Sequence, residues 1–201
     1  MILIIKKELC CFILIMNEKE FTFYNIFKVL LAKYHFNPKN IMCDFRTSQI
    51  KAVKKIFPHT NIHCCFFHYS QALWNNMKKY NLCGEGTYTR NAELLFNLQI
   101  LCFIKKEKVE YLSEKITKKY RQNLFKKFFI CFKRTWLGKT IPIPLWNYSD
   151  LIEEENYISN IKFHYTNNIC ENINRYLNIN LKKAKCSSIL FKENYKCNGS
   201  I

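Results

Sequence analysis

Asn40-Ile-Met-Cys-Asp44-Phe45, followed by Ile62-His-Cys-Cys65-Phe-Phe-His68, sets the reading of this chain. Ile41-Met42-Cys43 is a short apolar run of buried-strand type that ends on a carboxylate, and Ile62 to Phe67 is a second such run. Between them Ile50, Val53, Ile56 and Phe57 recur at helical spacing until Pro58, which cannot continue a hydrogen-bond ladder. Upstream, Leu9 to Met16 has strand length, and Glu20 to Tyr34 is helical through Phe23, Phe27, Leu30, Leu31 and Tyr34. Downstream, His68 to Tyr80 places Ala72, Leu73, Trp74 and Met77 near one side of a further helix. Strand and helix alternate over residues 1–80, which predicts an α/β core of parallel strands joined by crossover helices.

Around Gly84-Glu85-Gly86 the pattern changes. From Asn91 to Trp136 apolar residues keep helical spacing, through Leu94, Leu98 and Leu101, then Val109, Leu112 and Ile116, then Phe125, Phe128, Phe129 and Phe132. Gly138 and Pro142-Ile-Pro144 make a loop. Glu153-Glu154-Glu155 reads as a solvated surface run, a last helix is predicted from about Ile169 to Leu181, and a frayed Lys-rich tail follows Ala184.

The 201 residues are 49% apolar and 16% aromatic, enough for a packed core. A net charge of +17 points to a polyanionic partner, yet 27 of the 32 basic residues are Lys and five are Arg. Lys is a hydrated point charge and Arg the bidentate reader of phosphates and bases, so this balance favours loose phosphate attraction over specific readout. Eleven cysteines without a regular framework read as reduced and mostly buried. At the N-terminus Lys6-Lys7-Glu8 splits the apolar run from Met1 to Met16, so neither half approaches the roughly 18 residues of a membrane span, and a buried strand is expected. With four glycines the chain has no phosphate-cradling loop, dinucleotide fingerprint or serine-hydrolase elbow.

Asp44 closes a strand in an α/β sheet, where ligands gather outside the carboxyl ends of strands. It is equally an N-cap or turn residue ahead of a helix. Glu171 has two readings as well. It shares a polar stripe with Asn174, Arg175 and Asn178, and it also completes a capping box three residues after Asn168. Cys65 and His68 are zinc-type ligands, but a structural zinc site takes four and no second pair has comparable spacing, so zinc is not expected.

Together these residues resemble the MULE (Mutator-like element) transposase domain over most of the chain. Ile41-Met-Cys-Asp44-Phe, with Ala52 and Ile56-Phe57-Pro58, is similar to the family's second-acid strand and following helix. Cys65-Phe-Phe-His68-Tyr-Ser-Gln71-Ala72-Leu73 is similar to its Cys-x2-His signature. Trp136-Leu137, Leu145-Trp146-Asn147 and Thr166-Asn167-Asn168 match the region leading to its third acid, here Glu171, with Asn174 after it.

The resemblance implies an RNase H-like core over residues 1–80, a helical insertion over 81–148, a return to the core over 149–185 and a tail over 186–201. It implies two-metal cleavage and strand transfer of DNA in transposition, with Asp44 and Glu171 as catalytic residues and ligands to Mg²⁺ or Mn²⁺. Cys65, His68, Asn168 and Asn174 would support that site. DNA would be the partner, the nucleus the compartment, and no membrane would be involved. The family's first acid lies on a strand ahead of the segment matching Leu9 to Leu31, where Glu8 is the only nearby acid. The expectation is therefore an N-terminally incomplete, inactive copy, the alternative being a non-catalytic basic module that binds nucleic acid or a protein.

Overall fold

The computed structural model describes residues 2–5, 8–13, 15, 17–83, 88–138, 140–157 and 165. The helix expected over Ile169–Leu181 and the tail lie outside them. The chain forms two compact units, one spanning Ile13–Asn168 and the other containing Ile2–Phe12.

In the latter, β1 (Ile2–Ile5) pairs antiparallel with β2 (Glu8–Phe12), Ile2 opposite Phe12 and Ile5 opposite Glu8. The register shifts between Leu3 and Ile4. The strand expected over Leu9–Met16 thus starts at Glu8 and stops at Phe12, because its extent follows the length of the partner strand rather than of the apolar run.

In the larger unit α1 (Glu20–Tyr34) has the expected bounds and buries Phe23, Phe27 and Leu30, one stripe at four- and three-residue steps. Leu31 and Tyr34, expected on that stripe, are exposed. A strand–helix–strand unit follows: β3 (Asn40–Cys43), α2 (Thr47–Ile56) and β4 (Asn61–Cys64). β3 and β4 run parallel with Asn40 opposite Asn61 and Cys43 opposite Cys64. The ladder continues at both ends, Asn61 N–H donating to Lys39 O and Cys65 N–H to Cys43 O, each at 2.9 Å.

Helices α1 and α2 pack together, and Phe57, just past α2, sets its ring edgewise to Phe27 at 5.8 Å and Phe36 at 5.7 Å. Such edge contacts add about 0.5–1.5 kcal/mol beyond area burial. Side chains alternate along a strand, so Met42 and His63 share one face of the pair. Met42 meets the helical core and His63 lies against Tyr148.

The run Ile62–Phe67 does not stay extended. β4 ends at Cys64, Cys65 takes the extended N-cap conformation, and Phe66 and Phe67 open α3 (Phe66–Lys79). Apolar content alone cannot separate a strand from a buried helix start, and β4 stops where its partner β3 stops. α3 buries Tyr69, Leu73 and Met77, while Ala72 is exposed and Trp74 half-buried. It ends in a Schellman turn: Leu82 N–H donates to Met77 O at 2.9 Å and Asn81 N–H to Lys78 O at 3.0 Å, with Asn81 at φ 54°. Leu82 and Met77 are both fully buried in the core.

The expected helical stretch comprises α4 (Tyr88–Ile100), a 3₁₀ turn (Leu101–Phe103), α5 (Lys106–Lys119) and α6 (Asn123–Phe132), which runs into a π turn (Lys133–Leu137). After a 3₁₀ turn at Ile143–Leu145 comes α7 (Ser149–Tyr157). Gly138 closes the π turn where a Cβ would stand 2.6 Å from Arg134 O, too close for any side chain. The core joins Leu73 and Met77 to Leu94, Leu98, Phe128 and Trp146. Tyr69 is its hinge: it stacks on Trp146 at 5.0 Å, meets Trp136 edgewise at 4.6 Å, and its hydroxyl donates to Leu98 O at 2.9 Å.

Buried polar groups here are structural. Asn147 Nδ2 donates to Leu101 O at 3.0 Å and Ile104 O at 2.8 Å, and its Oδ1 accepts from Ser149 N–H and Oγ. The Tyr148 hydroxyl donates to Cys64 O, holding α7 to the end of β4. Of the acidic run, Glu153 pairs at the exposed surface with Lys105 at 3.3 Å, and Glu154 with Lys39. The described residues are mostly helical with a small parallel sheet, an arrangement compatible with α/β. No helix among them is long and apolar enough to cross a membrane.

Candidate functional site

Asp44 is the first residue past β3, at the carboxyl end of a parallel strand. Neighbouring β4 hands over to α3 at Cys65, and two residues into that helix His68 turns back toward the sheet. Its Nδ1 stands 3.4 Å from Asp44 Oδ1, an ion-pair distance that is long for a hydrogen bond. Arg46 Nε is 3.7 Å from the other carboxylate oxygen, and the same guanidinium binds the Glu18 carboxylate. Glu18, Arg46, Asp44 and His68 thus form a row of alternating charge and imidazole. The Asp44 and His68 side chains are 29% and 30% exposed, open to a ligand yet held by the fold.

Aromatic packing fixes this row. Phe45 sets its ring edgewise to Trp136 at 5.2 Å, and Phe66 lies 5.2 Å from Phe103. Both residues next to the site's turns are therefore anchored in the helical core. Phe66 N–H, in the first turn of α3, donates to Tyr165 O at 2.7 Å, and the Tyr165 ring rests on Tyr148 and Phe103.

The N-cap position of α2 falls on Arg46, so Asp44 is not the helix cap. Cys65 is fully buried at the strand–helix junction. Its neighbour Cys64 donates its thiol to Asp44 O at 3.7 Å. Hydrogen bonding to Cys43, then burial, pushes the Cys64 thiol far above the ordinary thiol range, so it serves as a protonated packing group. The Asp44–His68 pair is the part of the sequence-predicted site that the structure brings together. Glu171, Asn168 and Asn174 lie outside the described residues. Among those described, no group of three or more His, Cys, Asp and Glu is placed to hold a metal.

Arg46 and Glu18 were missed from sequence. The signal for Arg46 was present, as a scarce Arg two residues after the acid. Glu18 carried none, since only the fold brings it to Arg46.

Residues 6–72, about a third of the chain, match the MULE transposase domain family model. That window holds Asp44, Cys65 and His68, whereas the Trp136-to-Asn174 part of the resemblance lies beyond it. No curated protein and no solved structure matches the chain.

Proposed function

We propose that this chain carries part of an RNase H-like catalytic core of a Mutator-like transposase, with DNA in the nucleus as its partner and no cleavage by the chain itself. The observation that supports this most is the carboxylate of Asp44 at the carboxyl end of β3, faced by His68 from the Cys65-x2-His68 segment, inside the matching window. The donor chemistry fits a hard divalent cation such as Mg²⁺ or Mn²⁺, which takes carboxylate oxygens, and Asp44 offers one that is partly open to solvent. Glu171 is the proposed second ligand. The Phe66–Tyr165 hydrogen bond fixes the chain six residues before it, and Asn168 and Asn174 flank it. A bound metal pair would activate the attacking oxygen and stabilise the leaving one in phosphodiester cleavage or strand transfer.

What the chain's own residues supply is narrower. Asp44 binds, His68 faces one of its oxygens, Arg46 lies beside the other and opposes an incoming cation, and Phe45 with Phe66 keeps the turns in place. Among the described residues Arg46 bridges the carboxylates of Asp44 and Glu18. Asp44 and Glu171 are two carboxylates, one short of the three that the family's two-metal site implies for fixing both ions against attacking and leaving oxygens. The chain by itself therefore binds one ion weakly and leaves DNA uncut.

The test is Mn²⁺ titration of the chain and of its Asp44→Asn and Glu171→Gln variants, with nicking assays on intact and pre-cut duplexes. Weak Mn²⁺ binding that both variants reduce, with no cleavage, is expected. Binding indifferent to both substitutions would sink the site. Cleavage that disappears in Asp44→Asn would keep the site and overturn the inactivity.

A further inference from the structure

From Lys115 to Ser149 the chain contains no Asp or Glu, and the stretch carries Lys118, Arg121, Lys126, Lys127, Lys133 and Arg134. In the structure this stretch becomes the end of α5, α6 and the π turn. α6 turns Phe125, Phe128, Phe129 and Phe132 into the core, so its other face is set by what lies between them. Lys126, Lys127, Ile130, Lys133 and Arg134 are exposed there. None of these four cations has an acidic partner among the described residues, in contrast to Lys105, Lys106 and Lys119, which pair with Glu153, Asp150 and Glu93.

We propose that the outer face of α6 and its π turn is a docking surface for the phosphate backbone of duplex DNA. The proposal rests on DNA being the partner and adds where the backbone lies. Two basic pairs seven residues apart on a helix are ~10 Å apart along its axis, enough to meet successive phosphates rather than one. Every charged side chain of α6 and its π turn is basic, so association would release counterions from the nucleic acid. In the π turn Lys133 and Arg134 stay at the surface while Trp136, three and two residues on from them, is buried. An anionic lipid surface suits the face less well. Membrane-binding helices insert an apolar face, and that of α6 is already used by the core.

The test compares the full chain with a Lys126→Gln, Lys127→Gln, Lys133→Gln, Arg134→Gln variant. A charge-matched control carries Lys28→Gln, Lys33→Gln, Lys51→Gln and Lys54→Gln. Affinity for a duplex of arbitrary sequence is followed by fluorescence anisotropy from about 50 to 200 mM salt. All eight positions are exposed, and thermal melts verify folding. The wild type and the control should share a steep dependence of log affinity on log salt, and the α6 variant should be shallower by about 3, near 0.9 per lost phosphate contact. An unchanged slope in the α6 variant, or an equal loss in the control, overturns the surface while leaving DNA as partner. Absence of duplex binding by the wild type, or tighter binding to phosphatidylserine vesicles, overturns both.

Discussion

His68 Nδ1 and Asp44 Oδ1 stand 3.4 Å apart, joining the first turn of α3 to the end of β3 across 24 residues of sequence. The pair is made by the parallel register, which sets Cys43 beside Cys64 and so carries the residues just beyond them to the same end of the sheet. Neither partner is on a free loop, since Phe45 and Phe66 pack into the core on either side.

Arg46 competes with any cation for Asp44. Its Nε is 3.7 Å from Asp44 Oδ2, so neutralising it removes a repulsion felt by an incoming metal. Arg46→Gln should strengthen Mn²⁺ binding roughly tenfold, as expected for a unit charge a few ångströms away in a partly screened site. Isothermal titration of the variant against wild type checks this, and weaker binding would argue that Arg46 organises the site instead.

His63 should make the fold acid-sensitive. It is 6% exposed, neither ring nitrogen has a hydrogen-bond partner among the described residues, and burial, followed by opposing contributions from Asp150, Lys106 and Glu154, lowers its pKa. A base with a folded pKa below its unfolded one binds fewer protons when folded. Its stability contribution is complete above the ordinary histidine value near 6.5 and declines as pH falls from there toward the lowered folded value. Melting temperature measured from pH 8 down to 5 should drop below about 6.5 in wild type, and His63→Phe should flatten that drop.

Asn147→Ala should be among the costlier single substitutions. It removes the donors to Leu101 O and Ile104 O and the acceptor for Ser149 in a buried place. With about 1–3 kcal/mol for each buried polar group left unpaired, a loss of about 2–4 kcal/mol is expected in urea unfolding. A change under about 1 kcal/mol would mean that water replaces the amide.

Cys131 should react first among Cys43, Cys64, Cys65, Cys83, Cys102 and Cys131. Burial pushes its thiol up, but hydrogen bonds from Asn76, Thr135 and Tyr80, with nearby Arg134, outweigh that and bring it below the ordinary thiol value. Burial raises Cys83 and Cys102, and Cys64 is raised by Cys43 and burial. Iodoacetamide at neutral pH followed by peptide mass mapping should find Cys131 alkylated before the other five, because the thiolate is the nucleophile. Faster labelling of Cys83 would show that exposure outweighs thiolate character.

Much of the fold was legible because burial leaves a period in the sequence. Phe23, Phe27 and Leu30 gave α1 its bounds, and the triplet Ile41-Met42-Cys43 with Pro58 after the following helix gave the strand–helix–strand unit. Asp44 at a strand end was readable for the same reason, as the residue where an apolar run stops. The errors fell where local pattern is silent. Ile62–Phe67 is uniformly apolar, and only the end of β3 tells β4 to stop at Cys64 and α3 to begin at Phe66.

The sequence by itself determined the helix Glu20–Tyr34, the strand ending at Cys43 with a helix after it, and that a carboxylate closes that strand. Tertiary structure alone decided that His68 reaches Asp44, that Arg46 ties Asp44 to Glu18, and that Asn147 satisfies the Leu101–Ile104 turn. The physical reason is range. Helix and strand periods are imposed by neighbours a few residues away, whereas these partners meet only after register and packing have been chosen by the whole unit.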